Sequence, residues 1–347
     1  MNTLGLTGGV KAIFEHANLL SEKSYEVNLV HLLNIDNNFI GFLKALMKKI
    51  KYGIPKYTRP NWFKLNKKIK IIRLINIKKL GLSGNDIIIA TANETADFVS
   101  LLKSKSDNKF YFIQDYESWT RDKKLVDKTY QYNNLEQITT TKTLAFLLKN
   151  KFNKEAHIVE YGINPIFFLK QEEKKEIGAN INILMLFHPL PKKGFEIGLE
   201  AIKELKSKYK NIKLNVFGAY KIKSKSSIDN FYFQLNQEDL KNIYRQADIF
   251  LYPALEEGFG ITLMEAAASK CAIITTNVGW AKEYGKDFEN MIFIKKNNTE
   301  DIIEKIEVLI KDKVLREKLG QRANILAKDF SWDKSNNKFE KIIIKNQ

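Results

Sequence analysis

Glu256-Glu257-Gly258-Phe259-Gly260-Ile261-Thr262-Leu263-Met264-Glu265-Ala266-Ala267-Ala268 follows an apolar run, Ile249-Phe-Leu-Tyr252, that closes on Pro253. A short β-branched and aromatic run stopped by a proline reads as a strand, and residues 262–269, rich in alanine, read as a helix. The loop between them carries two glycines. They let the backbone approach a ligand closely, and the helix start behind them offers N–H groups that favour a phosphate. Glu257 sits in the loop and Glu265 near the first turns of the helix, so both carboxylates can face one ligand and accept hydrogen bonds from vicinal hydroxyls. The same pattern also fits an ordinary glycine loop with solvated glutamates.

Outward from this segment, strands and helices alternate. Towards the N-terminus come a strand at 182–187, a loop from His188 to Gly194, a helix at 195–208, strands at 213–218 and 231–235, and a helix at 237–246. Beyond the glycine loop follow strands at 272–275 and 291–294, helices at 299–311 and 313–327, and an amphipathic tail after Ser331. The earlier part repeats the arrangement: a Gly8-Gly9 loop, a helical pattern (Val10, Ile13, Phe14, Ala17, Leu20), then strands at 25–31, 86–90, 109–114, 137–140 and 156–159 with helical stretches between them. Alternating strands and helices predict α/β architecture, with parallel sheets covered on both faces. The expected division is an N-terminal domain at 1–165, a second domain at 166–330 opening with a polar connection up to Asn180, and a C-terminal helix at 331–347. Ligands of such sheets bind beyond the carboxyl ends of the strands.

The 347 residues suit two domains of ordinary size. One cysteine, Cys271, excludes an internal disulfide and a cysteine metal cluster, and points to the cytoplasm. No apolar run approaches the length that spans a bilayer. The formal charge of +17 is uneven, because residues 1–165 hold 26 Lys and Arg against 15 Asp and Glu. Residues 41–80 alone carry 13 basic side chains and no acidic ones, interleaved with Phe42, Leu46, Ile50, Tyr52, Trp62 and Phe63. Such a stretch can be a solvated surface or a contact for anionic lipid, placing the protein on the inner face of the plasma membrane. Nucleic acid is not expected, since no recognised binding module is present.

The glycine segment resembles the signature of the GT-B glycosyltransferases of family 4, in which two glutamates are separated by seven residues. The resemblance implies two doubly wound Rossmann-like domains facing a cleft. It also implies that Glu257 contacts hydroxyls of a donor sugar and that Glu265 holds the ribose of its nucleotide. Leu184-Met-Leu-Phe-His188-Pro-Leu-Pro-Lys-Lys193-Gly194 is similar to the strand and loop that present basic residues to the donor diphosphate, and Phe330-Ser-Trp-Asp333 to the segment returning to the first domain. His188 stands where many members carry arginine. It is either a phosphate contact or a structural ring capping the loop, and Lys193 then carries more of the charge stabilisation. With a Gln114-Asp115-Tyr116-Glu117 run, the pattern resembles the rhamnosyltransferase-related branch that builds surface polysaccharides.

In the first domain, Gly8 and Gly9 resemble the loop whose backbone comes close to the donor. Glu94, Asp115 and Glu117 follow strand ends and are the acceptor-side candidates, with Asp115 or Glu117 orienting or deprotonating a hydroxyl. Such carboxylates equally cap helices or pair with lysines. The family opens with a hydrophobic strand before the glycine loop, and that strand is expected to be missing or to lie upstream of Met1. The implied activity is transfer of a sugar from a nucleotide-sugar donor to a glycan or lipid-linked acceptor, with retained anomeric configuration. Lys193, Glu257 and Asp115 are the expected catalytic residues. The backbone of Gly258, Phe259 and Gly260 is expected to join His188 and Glu265 in donor binding, with no metal or other cofactor. A catalytically silent partner that binds a nucleotide sugar or glycan is the competing expectation.

Overall fold

The computed structural model describes residues 5–32, 59–60, 62–74, 81–102, 108–118, 120–168, 180–222 and 226–344. Most of the basic 41–80 stretch and most of the expected 166–180 connection therefore lie outside the described residues. The chain divides into two compact units, residues 1–160 with 333–347, and residues 161–332.

The second unit is one six-stranded sheet in the order β12-β11-β10-β7-β8-β9, from β7 (Ile181–Phe187), β8 (Ile212–Gly218), β9 (Asn230–Phe233), β10 (Ile249–Tyr252), β11 (Ala272–Thr276) and β12 (Ile292–Ile294). All its pairings are parallel, with Ile249 opposite Ile183 and Ala272. Strands buried on both faces need apolar side chains at every position. Every residue of β10 and β11 is buried. β10 is apolar throughout, and the two polar residues that end β11 are satisfied, the Thr275 hydroxyl donating to the Tyr252 carbonyl at 3.0 Å and the Thr276 hydroxyl to that of Ala254. A helix at Phe195–Lys208 covers one face by burying Phe195, Gly198, Ala201, Ile202 and Leu205, the three-to-four spacing of a single helical stripe. Asp312 ends the helix at Thr299–Lys311 and caps the next one, at Lys313–Ala327, by accepting the Leu315 N–H at 2.8 Å.

The unit runs from Tyr161 to Trp332. Ile163 bridges to Ser331 and donates its N–H to the Phe330 carbonyl at 3.3 Å, which ties this entry segment to the end of the same unit. Parallel strands place the loops after Phe187, Tyr252 and Thr276 at one end of the sheet, the carboxyl end, where the three meet.

The first unit holds two parallel sheets among its described residues. β1 (Asn28–Leu32) pairs with β2 (Lys70–Leu74), and β3 (Ile88–Ala90), β4 (Lys109–Ile113), β5 (Glu136–Thr139) and β6 (Ala156–Ile158) form the other. The reading of 41–80 as a basic stretch does not anticipate β2. Helix α1 (Gly8–Glu22) starts on Thr7, whose hydroxyl accepts the Val10 N–H at 3.2 Å. Helix α2 spans Asn93–Leu101. The helix at Trp332–Ile343 runs from the last residue of the second unit into the first, where Phe339 stacks on His16 of α1 with ring centroids 4.3 Å apart.

Candidate active site

At the carboxyl end of the second unit's sheet, two loops are held backbone to backbone. Gly194 has φ +68°, and a Cβ there would stand 1.9 Å from the Pro253 carbonyl oxygen, so only glycine lets the loops approach this closely. The Leu255 N–H donates to the Lys192 carbonyl at 2.7 Å. Together these contacts fix the Lys192-Lys193 pair against the Glu256-Glu257 pair.

Lys193 Nζ donates to Glu257 Oε2 at 2.8 Å. The Tyr252 hydroxyl donates to the same oxygen, and the Gly258 N–H reaches Oε1 at 3.1 Å. The Lys193 and Glu257 side chains are only 15% and 13% exposed, so this is an ion pair with much of its water removed. Burial pushes the Glu257 carboxyl upward, but the Lys193 ammonium and the hydrogen bonds from Lys193 and Tyr252 outweigh it, leaving the pKa below the usual carboxylate range. Glu257 is therefore a fixed carboxylate, charged at neutral pH.

His188 accepts the Leu190 N–H on Nδ1 at 3.1 Å. A backbone N–H can only donate, so Nδ1 is the acceptor and a neutral ring carries its proton on Nε2. Burial, reinforced by Lys193, lowers the pKa to about 4 and keeps the ring neutral. His188 thus caps its loop, one of its two expected roles, and carries its remaining N–H on Nε2.

Gly260 ends the acidic loop with φ +93° and stands before the helix at Ile261–Ala268. The Phe259 side chain is 2% exposed and packs on Tyr161 with ring centroids 4.8 Å apart, while its carbonyl accepts the Trp280 N–H at 2.6 Å. Phe259 is thus an anchor of the loop, with its carbonyl already engaged. Gly279 has φ +53°, and a Cβ there would lie 2.5 Å from the Phe259 carbonyl and 2.9 Å from Glu257 Cγ. Glu265 is 2% exposed and lies beside the Tyr244 hydroxyl.

In the first unit, Gly8 and Gly9 open α1, and a Cβ on Gly9 would stand 3.0 Å from Gln114 Oε1, so the glycine turn and the 114–117 loop are neighbours. Glu117 Oε2 accepts both the backbone N–H and the side-chain amide of Asn93, at 2.8 and 2.9 Å. This carboxylate caps α2. Asp115 accepts its neighbour Tyr116's N–H at 2.7 Å and, like Glu94, acts electrostatically on Glu117.

Residues 167–325 match the family described as Glycosyl transferases group 1. The second unit is a glycosyl transferases group 1 domain. The chain is similar to an uncharacterized glycosyltransferase of Methanocaldococcus jannaschii, 28% identical over 67% of this chain and 62% of that protein. A capsular polysaccharide biosynthesis glycosyltransferase of Staphylococcus aureus is 33% identical over 44% of this chain and 43% of its own length. The matched parts thus span less than two thirds of these relatives. In fold, the chain superposes on the sucrose-phosphate synthase of Thermosynechococcus elongatus over 98% of its own length and 94% of the other's, with a TM-score of 0.76 at 13% identity. The group 1 domain and its partner unit have the GT-B fold expected from the glycine signature.

Two residues that shape the second unit's site carry no sequence flag. Tyr252 reads as the end of a strand and Gly279 as one loop glycine among several. Among the described residues, no helix is long and apolar enough to cross a membrane.

Proposed function

We propose that this chain transfers a sugar from a nucleotide-sugar donor to a hydroxyl of a glycan or lipid-linked acceptor, in the assembly of a surface polysaccharide. The observation that carries this reading is the Tyr252–Glu257–Lys193 cluster, a partly buried acid and base held together at the carboxyl end of the group 1 domain's sheet. In the reaction, the bond from the anomeric carbon to the diphosphate breaks and a bond forms between that carbon and the acceptor oxygen on the face the diphosphate leaves, as retention of configuration requires of a single displacement. Lys193 and the Nε2–H of His188 face the charge that develops on the leaving diphosphate, together with backbone N–H groups at the start of the helix after Gly260. Glu257 accepts hydrogen bonds from the sugar, and Glu265 from the ribose. Asp115 takes the proton of the acceptor hydroxyl, because Glu117 is already committed to α2. Retention of configuration and attachment to an anionic membrane through residues 41–80 belong to the same proposal. The capsular polysaccharide relative supports the substrate class.

The test is release of nucleoside diphosphate from a panel of UDP-, GDP- and dTDP-sugars, with and without a membrane lipid extract. Lys193→Ala should lower turnover about 10²- to 10³-fold, as the loss of a group stabilising the developing charge does, and Glu257→Ala should abolish release. Donor binding with no turnover in the wild type would instead identify a catalytically silent sugar-nucleotide binder.

A further inference from the structure

The Lys193–Glu257 contact sets two demands against each other. Lys193 is a group that meets the diphosphate, yet its ammonium is 2.8 Å from a carboxylate that its donors hold in place and that Lys193 and Tyr252 keep charged against the effect of burial. A diphosphate brought to Lys193 meets Glu257's negative charge as well. A bound nucleotide sugar compensates for this, because its hydroxyls can donate to Glu257 Oε1, which here takes the Gly258 N–H at 3.1 Å, the longest of the three donor contacts that can be compared through their partners. A nucleoside diphosphate that has lost its sugar keeps the repulsion and adds a charge of its own.

We infer that Glu257 exchanges Lys193 between itself and the diphosphate, and so weakens the site for the product while strengthening it for the donor. This rests on the function proposed above. Tyr252 is the positioning residue for that exchange. It is 2% exposed, rigid at the end of β10, and its hydroxyl holds the same Oε2 that Lys193 contacts. When Lys193 turns to phosphate, Tyr252 and the Gly258 N–H still hold the carboxylate where the sugar needs it. Gly260 and Gly279 leave room for that carboxylate, since a Cβ at either would stand 3.3 or 2.9 Å from Glu257 Cγ. The energetic basis is differential binding: an interaction that favours donor over product speeds product departure without weakening the productive complex.

The experiment is calorimetric titration of the full chain with UDP, GDP and dTDP, and with the corresponding nucleotide sugars, on wild type, Glu257→Gln and Tyr252→Phe. Removing a unit charge next to the phosphate site should tighten nucleoside diphosphate binding about tenfold, while nucleotide-sugar binding weakens. Tyr252→Phe keeps the charge, so diphosphate binding stays unchanged while sugar-nucleotide binding weakens several-fold and the acid limb of donor binding moves to higher pH. Opposite signs for the two ligands cannot come from a merely damaged fold, which would weaken both. If Glu257→Gln weakens both ligands or leaves diphosphate binding untouched, the exchange is wrong, although wild-type turnover would still uphold the transferase reading. If the wild type binds no nucleoside diphosphate and no nucleotide sugar, both are overturned.

Discussion

Glu117 holds the first turn of α2 through Asn93, taking its backbone N–H at 2.8 Å and its side-chain amide at 2.9 Å on one carboxylate oxygen. Burial nevertheless raises the Glu117 pKa from 4.5 to about 7, against the lowering effect of those bonds. The folded pKa exceeds the unfolded one. The penalty is therefore absent below pH 4.5, grows as pH rises, and is complete above about pH 7. Glu117→Gln removes a cost of at most about 3 kcal/mol, so thermal melts should show the variant gaining on wild type between pH 4 and pH 8. A constant difference across that range would contradict the assignment.

His16 works in the opposite direction. It is 3% exposed, stacks on Phe339, meets the edge of Phe112, and has Nδ1 3.4 Å from Asn336 Oδ1. Burial lowers its pKa from 6.5 to about 4 despite the Asn336 contact. A depressed folded pKa means that this stability is whole above pH 6.5 and is lost as pH falls towards 4. Wild type and His16→Gln should therefore differ most at pH 7, and the gap should narrow by up to about 3 kcal/mol by pH 4. The change with pH is the readout, since the loss of packing is the same at both ends.

The second unit was legible in the sequence because its central strands are buried on both faces and carry unbroken apolar runs. Ile249 to Tyr252 and Ala272 to Ile274 are such runs, and both lie in strands. β2 was not legible. In Lys70-Ile-Ile-Arg-Leu74 two isoleucines carry the strand signal, among charges that suggested a surface. The Lys193–Glu257 pairing was implied by the family resemblance only as two separate roles. Tyr252 became visible only when the chain turned back at Pro253 and brought Glu257 under the phenol five residues earlier. The proton position on His188 depends on the Leu190 N–H, a backbone group with no mark in sequence.

That proton position makes a prediction about rate. With its pKa near 4, His188 stays neutral and donates from Nε2 throughout the physiological range. Donor kcat/KM should show no inflection near pH 6.5, the ordinary imidazole value. His188→Arg places a permanent charge beside Lys192 and Lys193. It should tighten nucleoside diphosphate binding and make that binding steeper in salt. An imidazole inflection in the wild type that vanishes in His188→Arg would show instead that the ring titrates during turnover.

The glycines of the two units separate structure from freedom. Gly84 has open space where a Cβ would go and no left-handed φ, so Gly84→Ala should be neutral or raise stability by about 0.5 kcal/mol through the unfolded chain. Gly279 combines φ +53° with a Cβ position 2.5 Å from the Phe259 carbonyl, a backbone atom that cannot step aside. That carbonyl also accepts the Trp280 N–H at 2.6 Å, so relieving the clash strains a second contact. Gly279→Ala should cost about 2–4 kcal/mol and, because the same Cβ would press on Glu257 Cγ at 2.9 Å, weaken nucleotide-sugar binding in whatever fraction remains folded. Denaturant melts and donor titration on the same preparation test both effects. Lost stability with unchanged donor affinity would show that Gly279 serves the loop alone and that Glu257 is placed without it.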